Sequence, residues 1–229
     1  MKAGALTDKN FPPKCGAVQE EAIIIFIKNP RLGKVKTRLA ATLGNERALE
    51  IYHELMAHTM LITSGLPVDK YLFYSDFVDN NDIWNNEMYK KSVQHEGNDL
   101  GLKMLESFMK CMNTGHKKAL IIGSDCLELS AELIEDGFKL LSEDSVVIGP
   151  ANDGGYYMIG FNFELLSDPI NLLENLFLNK AWSHENVLKE AIEVCKKLSI
   201  SIAELPTLTD VDEEKDYEKT KHLALKLVI

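Results

Sequence analysis

The sequence predicts an α/β fold with a mixed, mostly parallel sheet that is flanked by helices. Residues 22–27 (AIIIFI) form a continuous apolar, β-branched run, which is typical of a central strand buried on both faces. Such runs alternate along the chain with segments of helical periodicity, and this alternation indicates a largely parallel sheet. Residues 145–161 differ, because two β runs are joined there by Asn-Asp-Gly-Gly, a hairpin signal. The hairpin adds antiparallel pairing, so the sheet is expected to be mixed.

Local patterns define the elements of the amino-terminal half. Strand 22–27 leads into a basic segment, after which Asn45 is expected to cap a helix that runs to about residue 63. Apolar residues recur in this helix at helical spacing, namely Leu49, Tyr52, Met56 and Met60. Residues 70–75 (KYLFYS) predict a second strand, and residues 92–95 (SVQH) predict a weaker one.

The carboxyl-terminal half repeats the alternation of strands and helices. The predicted elements are a helix at 99–112, a strand at 118–125, a helix from Ser130 to Leu141, the hairpin at 145–161, a helix from Ser183 to Lys197, a strand at 200–205 and a last helix. Ligands of open α/β sheets lie outside the carboxyl ends of the strands. The segments that follow strands 22–27, 118–122 and 200–205 are therefore expected to converge on one cleft.

Length and composition limit the classes of protein that fit. The 229 residues suit one large domain over residues 21–229, and residues 1–20 are expected to be a disordered extension. A formal net charge of −10 argues against nucleic-acid binding, which needs a broad basic face. The four cysteines are scattered without a C-x-x-C pair, which predicts reduced thiols in a cytoplasmic protein. No apolar run has the length of a signal peptide or a membrane span, so no membrane partner is expected, and the sequence does not set the oligomeric state.

Residues 28–39 (KNPRLGKVKTRL) form a basic segment without a single acid. Its basic residues are Lys28, Arg31, Lys34, Lys36 and Arg38. A loop with Gly33 that leaves a buried strand and enters a helix can offer backbone N–H groups to phosphate, and Lys and Arg add charge. In an extended segment, Lys36 and Arg38 would face the same side. A solvated surface turn is the alternative, and the spacing matches neither a Walker A loop nor G-x-G-x-x-G, but the position after the first strand favours phosphate binding.

Acidic residues follow two other predicted strands. Asp125 ends the strand 118–125, where aspartates commonly serve as Mg²⁺ ligands, and a helix cap or turn is the alternative. Asp210 and Asp212 in "TDVD" follow the strand 200–205, and one is expected to point into the cleft and the other outward. The alternative for this pair is a solvated acidic turn that opens the last helix. Together with the basic segment, these acids indicate a site for phosphate and a metal.

The predicted hairpin turn, "NDGGYY", supplies further candidates. Gly154 and Gly155 suit a tight turn, and a glycine pair also lets a ligand approach the backbone closely. Asp153 is a candidate for contacting a sugar or acceptor hydroxyl, while Tyr156 and Tyr157 are expected to point to opposite faces. No H-x-x-x-H, H-E-x-x-H or G-x-S-x-G motif occurs, so hydrolase-type nucleophilic catalysis has no support.

Six motifs occur in order between residues 26 and 216. They are FIKNPRLGKVKTRLA, NDLGLKM, IIGSDC, VVIGPANDGGYYMIGF, WSHENVL and LTDVDEEKD. This set resembles a bacterial family of glycosyltransferase-A-type proteins, often grouped as nucleotide-diphospho-sugar transferases. More distantly, it resembles nucleotidyltransferases such as molybdopterin-guanine dinucleotide synthesis enzymes and phospholactate guanylyltransferase.

The resemblance implies a Rossmann-like glycosyltransferase-A fold with an Mg²⁺-bound (or Mn²⁺-bound) nucleotide at the carboxyl edge of its sheet. By position, Lys36 matches the loop lysine of the family, Asp125 the strand-end metal ligand and Asp212 the acid of its "D-V-D-T" segment. Three residues depart from the family pattern: Leu127 stands where Pro is usual, Glu213 where Thr is usual and Lys103 where Arg is usual. The change at 103 keeps the charge but loses the bidentate fork.

The function implied by the resemblance is a Mg²⁺-dependent transferase acting on a nucleotide-activated substrate, with glycosyl transfer favoured by the family. Two alternatives stay open: nucleotidyl transfer with release of pyrophosphate, and a nucleotide-binding module without turnover. The expected partners are a nucleotide or nucleotide sugar and a small-molecule acceptor. The candidate residues are Lys36, Asp125 and Asp153 for catalysis, Arg31, Gly33, Lys34, Lys36, Arg38, Gly154 and Gly155 for substrate and phosphate binding, and Asp125 and Asp212 for the metal.

Overall fold

A computed structural model describes residues 19–224 and contains a seven-stranded sheet with helices on both faces. The strands are β1 (Glu21–Ile27), β2 (Asp69–Tyr74), β3 (Tyr89–Val93), β4 (Lys118–Ile122), β5 (Val146–Pro150), β6 (Tyr156–Asn162) and β7 (Ile202–Glu204). The helices are α1 (Thr37–Leu43), α2 (Asn45–Ser64), α3 (Leu100–Thr114), α4 (Ala131–Leu140), α5 (Pro169–Phe177), α6 (Val187–Lys197) and α7 (Glu214–Thr220).

The strand order is β3-β2-β1-β4-β6-β5-β7, and β6 is antiparallel to both of its neighbours. The other paired strands are parallel to each other. The prediction of a mixed, mostly parallel α/β sheet is therefore confirmed, and so is the hairpin of β5 and β6. As a result, the carboxyl ends of six strands and the first residue of β6, Tyr156, meet at one edge of the sheet.

Each face of the sheet covers a separate apolar core. Strand β1 contributes to both cores, because Ile23 and Ile25 face one side and Ala22 and Ile24 the other. The first core packs α1, α2 and α4 against the sheet, and the second packs α3, α5 and α6. This burial on both faces accounts for the unbroken apolar run in the strand sequence.

The boundaries of several helices differ from the sequence-based prediction. Asn45 is not the cap of the long helix but its first residue, because the chain already turns through the short helix α1 and reaches α2 at Gly44. Helix α5 was not predicted, although Asp168 caps it by accepting the N–H of Asn171 and a proline occupies its first turn. Helix α6 begins at Val187 instead of Ser183, and the weak strand predicted at 92–95 lies at 89–93.

The expected disordered extension lies outside the described residues except for its last two positions. The carbonyl oxygen of Glu20 accepts hydrogen bonds from the N–H groups of Lys117 and Lys118, which joins the chain to β4. Within residues 19–224 the cysteines Cys111, Cys126 and Cys195 are buried free thiols, as the scattered spacing predicted. No helix in that part of the chain is long and apolar enough to cross a membrane.

Candidate active site

A cleft of about 720 Å³ opens at the carboxyl edge of the sheet. The loops after β1, β2 and β4, the first residues of β6 and the segment after β7 all line it. This arrangement follows from the topology, because parallel strands present their carboxyl ends at the same edge. The predicted convergence of the loops after β1, β4 and β7 is present in the structure.

The basic loop enters this cleft through four of its five basic side chains. Those that line the cleft are Lys28, Lys34, Lys36 and Arg38. Arg31 instead pairs with Asp76, and its guanidinium lies 6.0 Å from the centre of the Phe77 ring. Gly33 adopts a φ of 69° in a turn closed by a hydrogen bond from the N–H of Lys34 to the carbonyl of Arg31. Arg31 and Gly33 therefore shape the loop outside the lining of the cleft.

Lys36 holds an unusual backbone conformation at the start of α1. Its φ of 45° and ψ of 49° lie in the left-handed region, which few residues other than glycine adopt. The segment is therefore not extended between Lys36 and Arg38, as the alternating pattern assumed, because Thr37 begins a helix. The turn nonetheless brings both side chains to the same carboxylate, that of Asp212.

The ammonium of Lys36 lies between two carboxylates from distant parts of the chain. Its Nζ is 2.9 Å from Oδ2 of Asp125 and 3.1 Å from Oδ1 of Asp212, and the side chain is 7% exposed. Burial by itself lowers the pKa of Lys36, but attraction to the two carboxylates outweighs it, so the pKa is raised and the lysine is charged. Burial likewise opposes ionisation of Asp125, and Lys36 reverses this, so the pKa of Asp125 is lowered. The three groups form one charged cluster.

The backbone fixes the two acidic segments against each other. The N–H of Val211 donates a 2.8 Å hydrogen bond to the carbonyl of Asp125, and the Val211 side chain is completely buried. With Val211 in the core, Asp210 and Asp212 both line the cleft. The expectation that one of them faces outward is wrong, because residues two apart project to the same side of a chain whose middle residue points into the core. Burial and the charge of Asp125 raise the pKa of Asp210 well above its ordinary value.

The hairpin turn contributes Asp153 and Gly155 to the cleft. Oδ1 of Asp153 accepts the N–H of Gly155 at 2.9 Å, and this contact orients the carboxylate. Gly154 has a φ of 89°, and a Cβ at this position would lie 2.1 Å from the carbonyl oxygen of Glu185. Gly154 is therefore explained by its turn and by the close approach of residues 185–188. Tyr157 is buried in the first core, whereas Tyr156 packs against the second, so they face opposite sides as expected.

The structure places further side chains in the cleft that the sequence did not single out. They are Tyr52, Ser75, Gln94, Ser124, Trp182 and His184. The hydroxyl of Tyr52 accepts the N–H of Lys28 at 2.8 Å and donates to the carbonyl of the same residue at 3.0 Å, which steadies the start of the basic loop. The motifs NDLGLKM and WSHENVL signalled this region, but nothing in the sequence showed which of their side chains reach the cleft.

The three departures from the family pattern have distinct surroundings. Leu127 is buried and belongs to the first core, which also contains residues of β1, α2 and α4. Glu213 caps α7 in a reciprocal capping box with Asp216, a role that threonine also fills. Lys103 lines the cleft, so this departure alone changes a side chain at the site.

The donor set of the cleft suits a divalent cation bound jointly with phosphate. No group of three or more His, Cys, Asp or Glu side chains within residues 19–224 is arranged to hold a metal by itself. Mg²⁺ is commonly bound by one or two carboxylates, with substrate phosphates and water completing its coordination. Asp125 and Asp212 offer such a pair, and the Lys36 ammonium between them shows that the position attracts a cation.

The sequence profile of a family described as "Uncharacterized protein conserved in bacteria (DUF2064)" matches residues 61–184, more than half of the chain. The chain belongs to this family. No curated protein sequence matches the chain. The family match and the solved structures confirm the resemblance and the fold that the six ordered motifs implied.

Solved structures with the same fold include one with appreciable sequence identity. A Desulfovibrio desulfuricans G20 protein, provisionally named as a nucleotide-diphospho-sugar transferase, is 27% identical, with a TM-score of 0.76 over 86% of this chain and 84% of its own. A cytidylyltransferase from Leptospira borgpetersenii serovar Hardjo-bovis (strain JB197) is 14% identical, with a TM-score of 0.52 over 88% and 85%. Rv0371c from Mycobacterium tuberculosis H37Rv, in complex with manganese, is 11% identical, with a TM-score of 0.51 over 88% and 98%. The latter two share the fold alone.

Proposed function

We propose that this protein is a divalent-metal-dependent transferase that acts on a nucleotide-activated substrate, with glycosyl transfer as its reaction. The observation that carries the proposal is the convergence of Lys36, Asp125 and Asp212 with three other basic side chains in one cleft. The name of the similar Desulfovibrio protein supports the same class of reaction. The buried free cysteines favour a reducing compartment, and we place the protein in the cytoplasm.

The basic loop binds the phosphates of the nucleotide in this proposal. Lys28, Lys34 and Arg38 are exposed and can move onto phosphate oxygens, Arg38 by leaving its contact with Asp212. The backbone of Lys36 is fixed where α1 begins. When the nucleotide enters, the ammonium of Lys36 moves from the two carboxylates to the phosphates. A positive charge in this position stabilises the departing phosphate more than it stabilises the bound substrate. It therefore lowers the activation barrier of the transfer.

Asp125 and Asp212 would hold the Mg²⁺ or Mn²⁺ ion. The ion supplies positive charge that offsets the charge developing on the leaving phosphate oxygen. Manganese in the Rv0371c structure supports a divalent ion for this fold. Both carboxylates are partly exposed in the cleft. The ammonium of Lys36 contacts both of them, and the guanidinium of Arg38 contacts Asp212.

Asp153 acts on the acceptor in the proposed glycosyl transfer. Its Oδ1 accepts the N–H of Gly155, which leaves Oδ2 to accept the proton of an acceptor hydroxyl. The acceptor oxygen forms a bond to the anomeric carbon of the sugar while the bond between that carbon and the phosphate oxygen breaks. The electron pair of that bond leaves with the nucleoside diphosphate, and the acceptor proton passes to Asp153.

Nucleotidyl transfer is the second candidate, and the charge of the basic loop favours it. Four basic side chains of this loop line the cleft, and Lys103 of α3 adds a fifth, which suits the charge of a nucleoside triphosphate. A single acid follows β4 in Asp125-Cys126-Leu127, whereas many glycosyltransferases of this fold have Asp-x-Asp there. The products separate the two reactions, since nucleotidyl transfer releases pyrophosphate and glycosyl transfer releases a nucleoside diphosphate.

The proposal is tested with single and double carboxamide variants. A thermal-shift panel of nucleoside triphosphates and nucleotide sugars with and without Mg²⁺ first identifies the nucleotide. Asp125→Asn and Asp212→Asn should each abolish metal-dependent binding or turnover, and the double variant should add little because the two residues act as a unit. Asp136→Asn, at an exposed position of α4 outside the cleft lining, is the matched control and should keep both metal-dependent binding and turnover. Metal-dependent binding in the single variants equal to that of the parent would refute the metal assignment, and binding without any product would favour a non-catalytic module.

A further inference from the structure

Gln94 follows β3, the strand at one edge of the described sheet, and lies where the ends of three strands meet. Its backbone N–H donates a 2.9 Å hydrogen bond to the carbonyl of Tyr74, which continues the pairing of β2 with β3. Its side-chain Nε2 lies 3.2 Å from the carbonyl oxygen of Phe73 and 3.3 Å from that of Ile27. One side chain therefore ties the carboxyl ends of β1 and β2 to the end of β3.

These contacts fix the orientation of the Gln94 carboxamide. Both atoms that face Nε2 are backbone carbonyl oxygens, which accept hydrogen bonds and cannot donate them. The reverse orientation would place Oε1 against two other oxygens. The amide nitrogen therefore faces the strands and uses both of its hydrogens there, and Oε1 is turned away from the strand ends.

The oxygen of this carboxamide is an open acceptor. Oε1 makes no hydrogen bond within residues 19–224. Among the partly or fully buried side chains of that range, Nε1 of Trp182 is the one nitrogen or oxygen that is both buried and without a partner. Oε1 of Gln94, a partly buried residue that lines the cleft, is therefore accessible to solvent. A ligand at this position has to offer it an N–H or O–H group.

Apolar side chains line the cleft on the face of the sheet where α3 packs. Phe26 lines the cleft, and its ring is 5.7 Å from the ring of Phe73, whose carbonyl holds Gln94. Met104 and Leu100 of α3 also line the cleft, and Leu100 is 38% exposed. Phe26 and Met104 both pack on the second core. The flat face of a heterocycle suits such walls, because burial of its apolar surface stabilises the complex.

Lys103 of α3 adds a donor on the β2 side of the cleft. Hydrogen bonds from Ser75 and Arg31 lower the pKa of Asp76 in the loop after β2. The charge of Lys103 contributes to the same lowering of that pKa, which places its ammonium near this loop. An ammonium donates hydrogen bonds and accepts none, so it favours a carbonyl oxygen on the ligand. The cleft thus offers a fixed acceptor from Gln94 and a mobile donor from Lys103.

The strand order separates this acceptor from the proposed phosphate site. The phosphate site lies where Lys36 meets Asp125 after β4, whereas Gln94 contacts the ends of β1 and β2. Strand β1 lies between β4 and β2, and neighbouring strands are about 4.8 Å apart, so β4 and β2 are about 10 Å apart. A nucleoside spans a similar distance between its 5′ phosphate and the outer edge of its base.

We propose that Gln94 binds the nucleobase and selects a base that carries an N–H donor next to a carbonyl oxygen, as uracil, thymine and guanine do. This inference rests on the proposed function and narrows the nucleotide within it. Oε1 of Gln94 accepts the ring N–H, and the ammonium of Lys103 donates to the neighbouring carbonyl oxygen. Adenine has no carbonyl oxygen, and the ring nitrogen beside the carbonyl of cytosine carries no hydrogen, so both bases are disfavoured.

Isothermal titration calorimetry of the full chain with Mg²⁺ and UDP, GDP, CDP or ADP tests the proposal. UDP or GDP should bind about tenfold or more tightly than ADP and CDP, because only the first pair matches both the acceptor and the donor. The preferred nucleotide is then compared with its counterpart methylated at the ring N–H, 3-methyl-UDP or 1-methyl-GDP. Methylation should weaken binding about tenfold or more, because Oε1 is left without a donor.

Gln94→Met removes the open acceptor and nearly keeps the size of the side chain. The variant should bind the methylated and unmethylated nucleotides with equal affinity and should lose its preference over ADP. A residue that only ties the strand ends together would instead weaken the binding of every nucleotide by the same factor. His95→Ala is the control and should keep the affinities of the parent, because His95 is exposed and outside the cleft lining.

Three results would overturn the assignment of Gln94 to the base. They are equal affinity of the parent for all four nucleotides, equal affinity of the parent for the methylated and unmethylated forms, and a loss in Gln94→Met that depends on the 2′- or 3′-hydroxyl of the ribose. The first two need no variant, so they decide the matter even if Gln94→Met does not fold. Absence of binding by any nucleotide would overturn the proposed function as well, whereas binding without discrimination between bases would overturn the role of Gln94 alone.

Discussion

Replacing Lys36 with methionine removes an ammonium that a divalent cation must displace. The side chain is 7% exposed and makes ion pairs of 2.9 and 3.1 Å to carboxylates that are 42% and 39% exposed. Methionine is close to lysine in length, and the left-handed backbone at position 36 is about equally costly for the two residues, so the change mainly removes the charge. The variant therefore asks whether Lys36 competes with the metal in the nucleotide-free protein.

The expected change in Mn²⁺ affinity follows from the two ion pairs of Lys36. A hydrogen bond to a charged group contributes about 1.5–3 kcal/mol, and the exposure of both carboxylates places this cluster near the lower end. We therefore expect Lys36→Met to bind Mn²⁺ roughly tenfold more tightly without nucleotide, which corresponds to about 1.4 kcal/mol. With nucleotide present we expect the opposite order of Mn²⁺ affinities, because the variant lacks the ammonium that contacts the phosphates. For the same reason, the nucleotide affinity of the variant should fall about tenfold. Metal and nucleotide should thus bind cooperatively in the parent and less so in the variant.

Mn²⁺ titrations are followed by electron paramagnetic resonance. They measure the Mn²⁺ affinity of the parent and of Lys36→Met, each with and without the nucleotide identified in the thermal-shift panel. Lys34→Met is the matched control, because Lys34 lines the same cleft but is exposed. Equal or weaker Mn²⁺ binding by Lys36→Met would refute the reasoning. A similar gain in Lys34→Met would show that the general charge of the loop, and not the ammonium between the carboxylates, controls the metal.

Two further predictions concern stability. A Cβ at Gly101 would lie 1.8 Å from the carbonyl oxygen of Phe177, so Gly101→Ala should cost about 1–3 kcal/mol, or roughly 2–4 °C of melting temperature per kcal/mol. Gly65→Ala, with no atom within 4 Å of its Cβ, should not lower the melting temperature, and an equal loss in both variants would contradict the packing argument. Burial lowers the pKa of His58 below 6.5, although its Nε2 contact with the carbonyl of Leu129 opposes this. The unfolded chain then binds the proton first as pH falls below about 6.5, so stability decreases there. His58→Gln should lose less melting temperature than the parent between pH 7.5 and 5.5, and an unchanged pH slope would exclude His58 as the cause.

The sequence by itself determined the fold class and the edge of the sheet where the candidate site lies. The apolar runs of β1 and β4 carry their own signal, because a strand buried on both faces leaves no place for polar residues. The hairpin of β5 and β6 was visible in the same way, since its turn needs residues that accept a positive φ. Helix α5 also carries a local start signal, Asp168 followed by Pro169, although the periodicity of the sequence did not predict it.

Tertiary structure decided which of the charged residues meet. The pairing of Lys36 with Asp125 and Asp212 spans 89 and 176 positions of the chain, and no local pattern encodes such a contact. Arg31 looked equivalent to its basic neighbours, yet the loop after β2 supplies Asp76 and draws it away from the cleft. The placement of Asp210 depended on the burial of Val211 beside Asp125. Local sequence specifies backbone and burial preferences, whereas the partner of a long charged side chain is set by whichever strand end lies next to it in the sheet.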